Sequence, residues 1–284
     1  MIHLFSSVSL KSDRIISMEG IRTLWVKTPS QDIYFYKGND NLEVKEYLND
    51  LTVPAKVEKT ADALHLEIDF TAMKLLGSMK HERMEIYLPK NFFGQIYAES
   101  ASGNIYLEGE WNLENVQIQA ASGNIISGML SAQHFLLKSK SGNITIDAAN
   151  GDRQFSTVSG NLEVRSGSGD TKADTVSGNL RINQIDGQAV LNTVSGDLRA
   201  DYHKIIGENK IHSVSGNIHV TTSTSNQYAL EVSTKSGNLK VNPDEFKSVN
   251  RHDHHVSALK GCDNRVNIET SLVVTSVSGN VIVI

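Results

Sequence analysis

Residues 157–164 read Thr-Val-Ser-Gly-Asn-Leu-Glu-Val, residues 175–182 Thr-Val-Ser-Gly-Asn-Leu-Arg-Ile, and residues 193–200 Thr-Val-Ser-Gly-Asp-Leu-Arg-Ala. Their central Ser-Gly-Asn, or Ser-Gly-Asp, occurs nine times, ending on Gly103-Asn104, Gly123-Asn124, Gly142-Asn143, Gly160-Asn161, Gly178-Asn179, Gly196-Asp197, Gly216-Asn217, Gly237-Asn238 and Gly279-Asn280. Successive glycines are separated by 20, 19, 18, 18, 18, 20, 21 and 42 residues, the last interval being twice 21, as if one turn had lost its signature. A period near 20 residues marks stacked repeats, in which each unit gains a core only from its neighbours.

Side chains alternate faces along a strand, so columns aligned on the glycine separate inside from outside. Five residues before it stand Ile118, Leu137, Phe155, Ala173, Leu191, Ile211, Val232 and Val274. Two after it stand Ile105, Ile125, Ile144, Leu162, Leu180, Leu198, Ile218, Leu239 and Val281. Four after it come Leu107, Ile146, Val164, Ile182, Ala200, Val220, Val241 and Val283, with Ser127 as the polar exception. Three before it the residues are uniformly small: Ala120, Ser139, Thr157, Thr175, Thr193, Ser213, Thr234 and Ser276. These columns form the expected core, narrowing towards the corner. Second corners at Gly151, Gly169 and Gly187, nine residues before the main ones, complete an all-β, parallel β-helix-like solenoid with two short strands per turn.

Glycine tolerates positive φ, asparagine bonds to local backbone, and serine satisfies nearby amides, so the corner residues have a structural role that needs no ligand. Stacked asparagines can also form an amide ladder along the axis. A calcium-binding roll would need acidic ligands in every turn, and only Asp197 offers one here.

The array is expected to occupy residues 96–284 and a β-rich cap residues 1–95, because an open solenoid end would recruit other chains. In the cap, Ile33 to Lys37 and Leu42 to Leu48 flank Gly38-Asn39-Asp40-Asn41, a hairpin signal. Val57 to Ile68 and Met84 to Leu88 read as further strands, with an excursion or short helix at Phe70 to Lys80.

The formal net charge of -5 provides no basic field for nucleic acid, and no apolar run is long enough for a membrane-spanning helix. Cys262 is the sole cysteine, which excludes an intrachain disulfide framework and a multi-cysteine zinc site. No secretory signal is visible at the N-terminus, so the chain as written is expected to be cytoplasmic.

Ile86-Tyr87-Leu88-Pro89 leading into Tyr97 to Ile105, followed by the Val-Ser-Gly-Asn-Leu segments, resembles the bacterial putative adhesin family of β-solenoid domains of unknown function, over residues 20 to 284. The resemblance implies a non-catalytic surface or envelope-associated domain, with no catalytic residues to carry over and cell-surface association in place of a cytoplasmic site.

His252 and His254, in Arg251-His252-Asp253-His254-His255, would share one face if extended and are the candidate metal ligands, although an irregular surface loop is the more economical account of the cluster. Glu163 is expected to pair with Arg181 across a turn, and no second carboxylate stands beside it for glycosidic chemistry. Tyr106, Trp111, Tyr202 and Tyr228 are candidates for sugar stacking or for packing. The expected function is non-catalytic binding or scaffolding on a rigid repetitive surface, with a protein or glycan partner, no cofactor and no catalytic residue. A carbohydrate-active β-helix enzyme is the first alternative. A self-assembling module, associating through the uncapped C-terminal strand Val281 to Ile284, is the second.

Overall fold

The structure is a computed structural model that describes residues 7–69, 82–261 and 269–284. The expected excursion at Phe70 to Lys80 and the lone Cys262 lie outside the described residues. Among those described, every regular element is a strand except one 3-10 turn, Pro243–Glu245. Contacts cluster into two compact units, Met1–Gly142 and Asn143–Ile284.

In the first unit, strands run parallel on either side of a row of corners. Thr23–Thr28 lies between Ala63–Glu67 and Gln95–Ser100, parallel to both. After the corner, Asp32–Gly38 lies between Arg83–Pro89 and the start of Ile105–Ala120, again parallel. The rung 23–38 is thus threaded between strands Ala63–Glu67 and Arg83–Pro89 on one side and rung 95–107 on the other, all of which follow it in sequence. The expected hairpin across Gly38 to Asn41 does not form. Both strands exist, but Arg83–Pro89 sits between them, parallel to Asp32–Gly38 and antiparallel to Leu42–Leu48. Insertion lets Met84, Ile86 and Leu88 be fully buried, which a two-stranded pairing could not do. Two further pairings in this unit are antiparallel: Lys56–Lys59 on Ala63–Glu67, and Ser9–Ile16 on Leu42–Leu48.

The second unit repeats the parallel arrangement. Thr171–Ser177, Ala189–Ser195 and Glu208–Ser215 stack in sequence order, as do Leu162–Val164, Leu180–Gly187, Leu198–Ile205 and Ile218–Thr222. Order then breaks. Ser271–Ser278 and Val281–Val283 enter next, and rung 228–241 stacks on their far side. The 42-residue interval is therefore no degenerate turn. Part of it forms an antiparallel hairpin, Phe246–His252 with His255–Lys260, which covers Tyr228–Ser236. Nor is Val281–Val283 an open edge: it is paired on both sides, so a second copy cannot add a strand to it edge-on. The hairpin's outer strand carries Lys247 and Arg251, with a register shift after Lys247 and Ser248 at φ 51, features that discourage edge-to-edge pairing.

The aligned columns lie inside: Ile118, Leu137, Phe155, Ala173, Leu180, Val220 and Val283 are all fully buried. Leu239 is only half-buried. The glycines, however, are required mainly by close approach. A Cβ on Gly178, whose φ is not positive, would lie 2.2 Å from Gly160 O, and one on Gly123 1.9 Å from Gly103 O. Positive φ is an added requirement at corners such as Gly196, at φ 143.

The asparagine ladder is mostly side chain to backbone. Asn161 Oδ1 accepts the Asn179 amide at 2.9 Å, Asn179 Oδ1 that of Asp197 at 2.9 Å, and Asp197 Oδ1 that of Asn217 at 2.9 Å. Aspartate fits because only an acceptor oxygen is needed. Asp32 does the same in the first unit, receiving the Asn104 amide at 2.7 Å. The small column supplies hydroxyls as well as space: Ser139 Oγ accepts the Gly142 amide at 2.9 Å and Thr157 Oγ1 that of Gly160 at 3.0 Å.

Candidate functional site

Four strands of the first unit present a mixed aromatic and charged surface. Because alternate residues point outward, the register Trp25↔His65, Trp25↔Tyr97 and Tyr97↔Gln117 aligns one row, His65-Trp25-Tyr97-Gln117. Two residues along, Glu67, Lys27, Glu99 and Gln119 form a second row in the same order. Between the rows the intervening residues Val26, Leu66 and Ala98 turn their side chains into the core. The result is a cleft of about 250 Å³ lined by both rows.

The aromatic row is a stack along the rungs. Trp25 and Tyr97 are 4.0 Å apart at 8°, and Trp25 and His65 5.9 Å apart at 3°. Ring faces are thus directed at one another and ring edges towards solvent. Trp25 nevertheless remains 42% exposed, unusual for so large an apolar side chain. Tyr97 is fixed by its hydroxyl, which donates to Gln95 Oε1 at 3.0 Å. On the charged row, Lys27 Nζ lies 3.7 Å from Glu67 Oε1. With Glu99, that row opposes two carboxylates to one ammonium, so it repels anions. Chemically the cleft offers hydrogen-bond acceptors, two amides, one cation and a rigid aromatic wall.

The other ladder of this unit is also aromatic. Tyr34 stacks on Tyr106 at 4.4 Å, Tyr36 on Tyr87 at 5.1 Å, and the Arg83 guanidinium lies 3.8 Å over the Tyr47 ring. Burial pushes the Tyr34 and Tyr87 hydroxyls up to about 12, so they are hydrogen-bonding groups and not bases at neutral pH.

The residues singled out from sequence fall elsewhere. Trp111, Tyr202 and Tyr228 are buried, and Trp111 Nε1 donates to Glu108 O at 3.1 Å, so all three pack the interior. Tyr106 belongs to the tyrosine ladder. Glu163 is aligned with Arg181, but its ion pair is with Arg165 at 4.0 Å, while Arg181 Nε donates to Asn183 Oδ1 at 3.3 Å. Two-residue spacing along the chain brings the first pair together more closely than the cross-rung pair. His252 and His255 face each other across the hairpin, and Asp253-His254 is its turn, with Asp253 at φ 35. His252 and His254 therefore do not share a strand face. Among the described residues no group of three His, Cys, Asp or Glu side chains is placed to hold a metal. Of the corner residues, Asn104, Asn161, Asn179, Asp197 and Asn217 take part in the side chain to amide ladder.

Trp25, His65 and Tyr97 escape a reading based on the repeat, since 40 and 32 residues separate them. A signal exists: Leu24-Trp25-Val26-Lys27, Leu64-His65-Leu66-Glu67 and Ile96-Tyr97-Ala98-Glu99 share an apolar, aromatic, apolar, charged order.

Parallel rungs with glycine corners run through both units, and residues 21–283 match the model of one protein family. The chain belongs to the Toastrack DUF4097 family. The comparison with curated proteins returned no match. The Toastrack chain is similar to a solved structure from Parabacteroides distasonis named a putative adhesin, at 12% identity and TM-score 0.53, covering 95% of this chain and 96% of that one. A second putative adhesin, from Parabacteroides merdae, is 11% identical with TM-score 0.53, covering 95% of each chain. A third structure, from Parabacteroides distasonis and named a putative lipid binding protein, is 11% identical with TM-score 0.50, covering 95% of this chain and 96% of that one. These likenesses concern the fold. No helix among the described residues is long and apolar enough to cross a membrane.

Proposed function

We propose that this Toastrack chain is a non-catalytic recognition protein, adhesin-like in use, that binds a neutral, hydroxyl-rich linear ligand such as an envelope glycan in the His65-Trp25-Tyr97 cleft. The observation that carries this reading is the exposed Trp25, held in a three-ring stack on a rigid parallel sheet and faced by a row of carboxylate, amide and ammonium groups. Binding sites combine an aromatic wall with a few convergent polar groups in this way. Two carboxylates against one cation, together with a formal net charge of -5, disfavour polyanions. Rungs recur every ~4.8 Å, close to the advance of one pyranose along a linear glycan, so successive sugars would meet successive wall groups. The adhesin names of two structural relatives accord with a surface role.

A glycan and cell-wall array probed with the purified protein and with Trp25→Ala tests the proposal. Binding to neutral linear glycans that falls roughly tenfold or more in Trp25→Ala, with unchanged melting, is expected. Glycan binding indifferent to Trp25, or none at all, contradicts it.

A further inference from the structure

The threaded rung of the second unit is held entirely by two rungs that are consecutive in sequence. Ser271–Ser278 is paired with Glu208–Ser215 on one side and Tyr228–Ser236 on the other, and Val281–Val283 lies between Ile218–Thr222 and Leu239–Val241. At the corner, the Gly216 amide donates to Ser278 O at 3.0 Å and the Gly279 amide to Ser236 O at 2.9 Å. The asparagine ladder runs through it as well. The Asn280 amide donates to Asn217 Oδ1 at 3.1 Å, and Asn280 Oδ1 accepts the Asn238 amide at 3.0 Å. Leu272, Val274, Val281 and Val283 are fully buried.

The two flanking rungs also match each other. Ser215-Gly216-Asn217-Ile218 and Ser236-Gly237-Asn238-Leu239 are 21 residues apart, one more than the longest interval, 20 residues, at which other turns stack directly. With segment 271–284 withdrawn, they can close on one another through the same columns, so withdrawal need not leave two raw strand edges. The segment itself, Ser-Leu-Val-Val-Thr-Ser-Val-Ser-Gly-Asn-Val-Ile-Val-Ile, carries no charge and is rich in β-branched residues, the composition of a strand donor.

We propose that the gap between rungs 208–220 and 228–241 is a strand-binding slot, filled here by the chain's own segment 271–284 and able to take the same segment from a second copy. Everything the slot recognises is backbone, column and corner, and none of it depends on which copy supplies the strand. In cis the segment is tethered to its own slot, so exchange between copies becomes competitive only at high protein concentration, on the order of 1 mM.

The test uses two full-length copies in a Cys262→Ser background. One carries His219→Cys, and the other Ile282→Cys, whose positions are directly paired across the rungs. They are unfolded, mixed at about 1 mM, refolded and oxidised. A disulfide between copies then reports a segment from one seated in the slot of the other. A control second copy carries Val249→Cys, exposed on the hairpin and outside the slot. Mixed disulfide at least roughly tenfold above the control, seen as a covalent dimer by non-reducing gel and gel filtration, is expected. Mixed disulfide equal to the control, or absent while both copies refold as monomers, overturns the proposal.

Discussion

Substituting glycine by alanine at two positions separates close approach from backbone conformation as the reason for the corner residue. At Gly178 a Cβ would sit 2.2 Å from Gly160 O, 2.8 Å from its carbon and 3.3 Å from the Asn161 nitrogen. Van der Waals contact begins near 3.4 Å, so the rungs must separate locally by about 1 Å. That movement strains the hydrogen bonds from the Ser177 amide to Val158 O, at 2.7 Å, and from the Asn179 amide to Asn161 Oδ1, at 2.9 Å. At about 1 kcal/mol per net hydrogen bond, with loosened packing around the fully buried Leu180, Gly178→Ala should cost ~3 kcal/mol. Gly109 is the contrasting site, at φ 85 with nothing within 4 Å of an added Cβ. Its alanine substitution carries conformational strain alone, ~1 kcal/mol. Thermal unfolding followed by circular dichroism should show a Tm lowered by roughly 6–12 °C for Gly178→Ala and by a third of that for Gly109→Ala. A larger loss for Gly109→Ala would refute the claim that rung contact, not positive φ, dictates glycine at the corner.

Asn179→Asp should leave stability within about 0.5 kcal/mol, since Asp197 already supplies the ladder's acceptor, whereas Asn179→Ala should cost ~1 kcal/mol by stranding the Asp197 amide; urea titration distinguishes the two. At the hairpin, the buried Lys260 donates to Glu245 Oε2 at 2.5 Å and to Thr222 Oγ1 at 2.8 Å. Hydrogen bonding to Lys260 holds the Glu245 carboxyl below its ordinary 4.5. A depressed carboxylate pKa contributes stability that is fully present above the unfolded value and is lost as pH falls through the folded one. Glu245→Gln should therefore flatten the decline of the urea midpoint below pH 4.5; an unchanged decline would show that the pair does not couple to folding. Glu163→Gln should alter neither stability by more than about 0.5 kcal/mol nor any glycan turnover, its ion pair with Arg165 being a loose one at the surface; loss of a measurable hydrolase or lyase activity would reinstate the enzyme alternative.

The repeat made the core columns and corners legible, because strand alternation and rung period are both written in single residues such as Leu180, Thr175 and Gly178. Rung order was not legible. Rungs 208–220, 228–241 and 271–283 offer the same columns, so sequence adjacency and spatial adjacency are equally compatible with their side chains, and only the completed packing distinguishes them. The turn sequence Gly38 to Asn41 misleads for the same reason: it is outweighed by the burial gained when Met84, Ile86 and Leu88 enter between the two strands it joins. The cleft was hidden because its three rings come from rungs that are brought together only by threading. His254 shows the converse limit, where an alternation argument assumed an extended strand and Asp253-His254 instead makes a two-residue turn.

The rung order itself is open to direct measurement by intramolecular disulfide trapping in folded, full-length protein with Cys262→Ser. Ile282 is aligned with His219 on one side and Lys240 on the other. Neighbouring strands lie ~4.8 Å apart, within disulfide reach, while His219 and Lys240 are then ~9.6 Å apart and beyond it. Rapid, near-complete bridging of His219→Cys with Ile282→Cys, and none of His219→Cys with Lys240→Cys, is the predicted result. Ready bridging of the second pair in the native protein would contradict the threaded stack.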